Sequence, residues 1–179
     1  MEVTLREITD AICSVDRLDK SGCSRVYARA RMLRDKRLIK THETSSQGRT
    51  MLFNDADVAA SVTAIYGSLS GASWGLIGAI LNDLRAIENT QGRPEFEAHI
   101  GAIKSGEAIW ARVDVIVDPE LTGIGLPGEV VARMGDLATV GVSDDPTSTH
   151  PGTRQIVLWP ITLRVKPVLD HLARTQADE

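Results

Sequence analysis

The residues best suited to chemistry in this chain lie between Ser24 and Arg49. Arg25 and Arg29 stand four apart, so a helix would carry both guanidinium groups on one face. A guanidinium can donate two hydrogen bonds to one guanine in the major groove of DNA, and that groove admits a helix. Tyr27 and Arg31 would lie near the groove edges. Lys40, His42, Ser46, Gln47 and Arg49 follow in a polar stretch that could meet the phosphate backbone or the minor groove. Ser24 could cap the helix, and its backbone amide could receive a phosphate. Arg34-Asp35-Lys36-Arg37 in isolation reads as solvated surface, so the ordered set carries the reading.

Other chemistry is less well supported. His42, His99, His150 and His171 are scattered, and none has a further ligand at metal-binding spacing, so no metal or cofactor is expected. Cys13 and Cys23 stand ten apart across a turn. They read as free thiols, with a redox switch as the minor alternative. Asp118, Asp136, Asp144 and Asp145 read as solvated loop carboxylates rather than a cation cluster. Gly123-Ile124-Gly125 lacks the following glycine and helix of a dinucleotide site. Trp74, Trp110 and Trp159 are taken as core or interface anchors, ahead of a small-molecule pocket between the strands. No catalytic residue is assigned and no enzyme is expected.

The elements that must position the basic residues follow from hydrophobic spacing. Leu5, Ile8, Ile12 and Val15 predict a helix over 4–15, opened by a Thr4/Glu7 capping box. Asp16 to Gly22 reads as a turn. A second helix capped by Ser24 turns Val26, Ala30 and Leu33 inward, and Leu38-Ile39 closes it onto the core. Residues 39–43 and 49–53 flank a polar tip containing Gly48, as in a hairpin. Asn54 caps a third helix with Val58, Val62, Ile65 and Leu69 on its apolar face and Asp55 and Asp57 in its first turn. A long apolar face over 73–88 and a weaker helix around Phe96, Ile100 and Ile103 come next. Ala108 to Val117 and Arg154 to Val165 read as strands. The Gly/Pro-rich segment between them offers only a short helix at Gly128 to Met134 and a strand at Leu137 to Val142. Pro167 is expected to start the last helix, with Val168, Leu169 and Leu172 facing inward.

In that order, residues 4–65 resemble the MerR-like and excisionase-like winged-helix DNA-binding domains. The resemblance rests on Leu5-Arg6-Glu7-Ile8, Ser24-Arg25, Leu38-Ile39, Gly48-Arg49, Phe53 and Asp55-Ala56-Asp57-Val58, and covers about a third of the chain. It implies DNA binding and carries nothing about the rest of the sequence, which lacks a sustained heptad helix after Leu69.

Charge is consistent with this division. The net charge is -4, yet residues 1–50 hold 11 Lys and Arg against 7 Asp and Glu, while residues 51–179 hold 9 against 17. One end could therefore meet phosphate while the other keeps the protein soluble. The stretch Leu69 to Leu81 is too short and glycine-broken to span a bilayer. With no secretory leader read ahead of the first helix, a cytoplasmic location is expected.

The expected fold is α+β: an N-terminal winged helix-turn-helix over 1–68, then a helical connector and a small α/β dimerisation or regulatory domain over 69–179. The expected function is sequence-specific binding of double-stranded DNA by a homodimeric bacterial or phage transcriptional regulator. Its effector, if any, is not identifiable. Alternatives are a DNA-architecture or packaging factor of a mobile element, of excisionase or small-terminase type, and a winged-helix protein-interaction module.

Overall fold

A computed structural model of the chain describes residues 1–41, 43–44, 50–86, 92–116, 130–141 and 153–178. The described residues form six helices, a two-stranded ribbon and a three-stranded antiparallel sheet, an α+β protein. The chain divides into two compact units, Met1–Ile77 with Leu163–Glu179, and Gly78–Thr162. The C-terminal helix thus joins the N-terminal unit, whereas the sequence placed it in the second part.

In the first unit, α1 (Leu5–Val15) is opened by a complete capping box between Thr4 and Glu7. Its stripe of Ile8, Ala11, Ile12 and Cys13 is buried. α2 (Lys20–Asp35) buries Val26, Ala30 and Leu33. After Ile39, which is also buried, β1 (Glu43–Thr44) and β2 (Met51–Leu52) pair antiparallel, Glu43 opposite Leu52. Phe53 leaves this ribbon to exchange backbone hydrogen bonds with Val3 (3.1 and 2.9 Å). That bridge ties the start of the chain to the threshold of α3 (Asp55–Leu69), which Asn54 and Asp57 cap reciprocally. α3 is buried on nearly every side through Val58, Ala59, Ala60, Val62, Ala64 and Ile65. Tyr66 of α3 donates to Asp16 (2.9 Å), with the Arg164 guanidinium 5.0 Å from the ring centre.

α4 (Trp74–Ala86) passes from the first unit into the second. In the second unit, α5 (Glu95–Ser105) ends at Gly106, whose φ of +92° suits a residue without a side chain. β3 (Trp110–Ile116) is the central strand, flanked by β4 (Val130–Gly135) and β5 (Thr153–Pro160). α6 (Ile161–Ala177) follows directly, and Val165, Val168, Leu169 and Leu172 are buried along it.

Several sequence expectations are corrected. The turn after α1 covers only Asp16 to Asp19, and Asp19, not Ser24, is the cap of α2: its carboxylate accepts from the Gly22 amide at 2.7 Å. Ser24 sits inside the helix and returns its hydroxyl to the Lys20 carbonyl at 2.8 Å. The left-handed residue of the turn is Arg17 (φ +51°) rather than a glycine. Gly22 serves a close approach, since a Cβ there would lie 3.0 Å from the Leu18 Cβ. Of the helix expected at Gly128 to Met134, residues 128 and 129 lie outside the described residues and Val130 to Met134 are instead in strand β4, because β3 supplies the ladder for Val130 and Val131. The strand expected from Leu137 is a turn closed by Asp136, which accepts from the Thr139 amide at 2.7 Å. The strand expected across Arg154 to Val165 stops at Pro160, and Pro167 lies within α6 rather than at its start. Pro167 has no N–H to offer the preceding turn, a defect the helix absorbs.

Candidate nucleic-acid interface

From Lys20 to Lys40 the chain carries eight Lys and Arg and one acid, Asp35. The helical period distributes these around the buried stripe Val26/Ala30/Leu33. Opposite the stripe lie Ser24, Ala28, Arg31 and Asp35, all exposed. One flank carries Arg25, Arg29, Met32 and Lys36; the other carries Tyr27 and Arg34. α2 therefore offers a cationic surface around an open pole, with its apolar stripe anchoring it to α1 and α3.

The candidates separate into groups. Ser24, Arg25 and Arg31 stand on the open surface, and among the described residues Arg31 makes a long ion pair with Asp35 at 3.9 Å. Lys40 is exposed just beyond the helix. Arg29 is half-buried: its guanidinium lies 5.6 Å from the centre of the Trp74 ring, and Lys36 approaches the same ring at 6.0 Å. An aromatic face flanked by two cations holds both in place by attraction to its π-electrons. Tyr27 points toward α1 and donates its hydroxyl to Asp10, a bond that, more than burial, pushes its pKa up to about 12. Its proton is thus engaged within the protein. His42, Ser46, Gln47 and Arg49 lie outside the described residues. The Ser24 amide is inside α2, so the free amides at the helix start belong to Lys20 and Ser21.

Three residues that the sequence reading did not assign belong beside this surface. Arg6 and Arg34 join Arg31, Tyr27, Thr9, Leu5 and Ala30 around an open groove of about 320 Å³ between α1 and α2. Arg6 keeps an i,i+4 pair with Asp10 at 3.8 Å, and Arg34 pairs with Asp35 at 3.0 Å. Trp74 is the third, through its ring. The i,i+4 spacing of Arg6 and Asp10 was visible in the sequence; the seat of Trp74, 45 residues from Arg29, was not.

The second unit uses its charges differently. Arg112 and Asp114, two apart on β3, are both buried and joined at 2.8 Å, and Arg112 also donates to the carbonyls of Val140 and Gly141. Glu95 is buried at the start of α5 with the His99 ring nitrogen 3.1 Å from its carboxylate. Burial raises the Glu95 pKa, against the opposing pull of His99 and a backbone hydrogen bond from Met134. Asp136, fully exposed, is lowered by hydrogen bonds from Thr139.

Among the described residues no group of three or more His, Cys, Asp or Glu is placed to hold a metal ion. No helix among them is long and apolar enough to cross a membrane. Comparison with protein-family models, with curated proteins and with solved structures gave no match.

Proposed function

We propose that α1, α2, the β1–β2 ribbon and α3 form a winged helix-turn-helix that binds double-stranded DNA, with α2 in the major groove. The observation that carries this is the exposed cationic surface of α2, where Arg25 and Arg31 flank an open pole that the helix's own packing leaves free. The four-residue turn from Asp16 to Asp19 and the antiparallel ribbon directly before α3 support it, being the connections such a domain needs. Arg25 is assigned to base edges. Arg29 sits beside it on Trp74, and Arg31, Lys40 and the groove arginines Arg6 and Arg34 meet phosphates. Sequence-specific regulation by a homodimer is the reading adopted, since paired half-sites raise the affinity of a single small module.

Fluorescence anisotropy with a labelled random duplex, titrated over a range of salt, tests the phosphate component. Binding is expected to weaken steeply with salt, and Lys40→Ala to lower the log–log slope by about one unit. No binding at low salt would favour a protein-interaction module. Rings or filaments on DNA would favour the architectural or packaging alternative.

A further inference from the structure

The first unit carries a second pair of chemically capable groups that DNA binding does not use. Cys13 lies on the buried stripe of α1 and Cys23 is the fourth residue of α2, half-exposed. The two lie on either side of the Asp16–Asp19 turn, and Leu18 ties both to it. Its N–H donates to the Cys13 carbonyl at 3.0 Å, and its carbonyl accepts from the Cys23 Sγ at 3.7 Å. Both cysteines thus converge on Leu18, Cys13 through its carbonyl and Cys23 through its Sγ, and the two side chains interact electrostatically. Gly22 packs closely on the same leucine, since a Cβ there would lie 3.0 Å from the Leu18 Cβ, and so keeps the start of α2 against the turn.

We propose that Cys13 and Cys23 are a peroxide-sensitive dithiol that closes to an intramolecular disulfide, covalently joining α1 to the first turn of the basic helix. The exposures assign the roles. Cys23, the more exposed of the two, attacks a hydroperoxide: a sulfur–oxygen bond forms, the O–O bond breaks, and with hydrogen peroxide the products are the Cys23 sulfenic acid and water. Cys13 sulfur then attacks the Cys23 sulfur. The hydroxide leaves with the Cys13 proton as a second water, so the two thiols lose two electrons and two hydrogens to the peroxide. Burial, with the adjacent Cys23, pushes the Cys13 pKa up to about 12, which suits a thiol that keeps its proton until the sulfenic acid is beside it and disfavours it as the first attacker. The chemistry can be read without reference to DNA.

The test is intact-mass and peptide analysis of the full chain treated with hydrogen peroxide and then alkylated. The expected result is a loss of two hydrogens, no alkylation, a Cys13–Cys23 linked peptide, a monomer on non-reducing gels and full reversal by dithiothreitol. In Cys23→Ser, Cys13 is expected to stay reduced at the same peroxide concentration; in Cys13→Ala, Cys23 is expected to run on to sulfinic acid. Two alkylatable thiols after treatment of the unsubstituted protein, a Cys23–Cys23 linked dimer, or Cys23 sulfinic acid with Cys13 free would each overturn the proposal. These readings use the unsubstituted protein and do not depend on either variant folding.

Discussion

The two units spend the same residue types in opposite ways. In the second, Arg112 is drawn inside with Asp114 and satisfied by two further carbonyls, and Glu95 is drawn inside beside His99. In the first, α2 keeps Arg25, Arg31 and Arg34 outside, opposed along the helix by one carboxylate, and sets Arg29 and Lys36 beside an aromatic ring. A buried, compensated charge specifies a fold at little net gain, whereas exposed and under-compensated charge contributes little to stability and is available to a partner. Function is therefore sought in the first unit and architecture in the second.

Substitutions in the two arginine sets should separate on this basis. Arg112→Ala strands the buried Asp114 and is expected to cost about 3–5 kcal/mol in urea unfolding, with most of it recovered in Arg112→Met/Asp114→Leu. A loss under 1 kcal/mol would place that pair with the surface pairs and erase the contrast. Arg25→Ala should do the reverse. It is expected to leave the unfolding midpoint nearly unchanged and to cost about 1–3 kcal/mol of preference for the selected site over random duplex. Equal weakening on both duplexes would move Arg25 from base edges to phosphate.

Three further substitutions act more weakly. Asn54→Ala removes the cap of α3 and is expected to cost about 1 kcal/mol, read as a lowered denaturation midpoint. Glu95 supplies a pH signature. Its pKa is raised in the folded protein, so folding favours its protonated form. That contribution is complete below the ordinary carboxylate range and is lost as pH rises through the raised value. Glu95→Gln should flatten the fall in melting temperature over that window, and an unchanged pH profile would show that the carboxyl is not desolvated. Arg37 ends α2 at a φ of +58°, a conformation easier for glycine. Arg37→Gly is expected to stabilise the protein by up to about 1 kcal/mol, read as a raised denaturation midpoint.

The first unit was the more legible of the two in the sequence because its signals are local. The stripes Ile8/Ile12 and Val26/Ala30/Leu33 and the caps at Thr4 and Asn54 act within one or two helical turns. Between Val15 and Arg25 the sequence reading placed the cap at Ser24, whereas Asp19 caps α2. The choice is made by where the turn residues find partners, Leu18 on Cys13 and Gly22 on Asp19, not by propensity. The short helix expected at Gly128 to Met134 gives way to strand over Val130 to Met134 because the strand that pairs with it ends at Ile116, far back in the sequence. On α2, the position of Arg25 followed from helical period alone. The half-burial of Arg29 against Trp74 and the engagement of Tyr27 with Asp10 arise from packing between helices, which no local pattern encodes.

Whether the open face of α2 reads DNA is decided by selecting bound fragments from the source genome and sequencing them, with Arg25→Ala/Arg31→Ala as control. A compact inverted-repeat site, enriched by the protein and lost in the variant while its fold persists by circular dichroism, is the expected result. No enrichment by the unsubstituted protein, or the same site recovered by the variant, would contradict it.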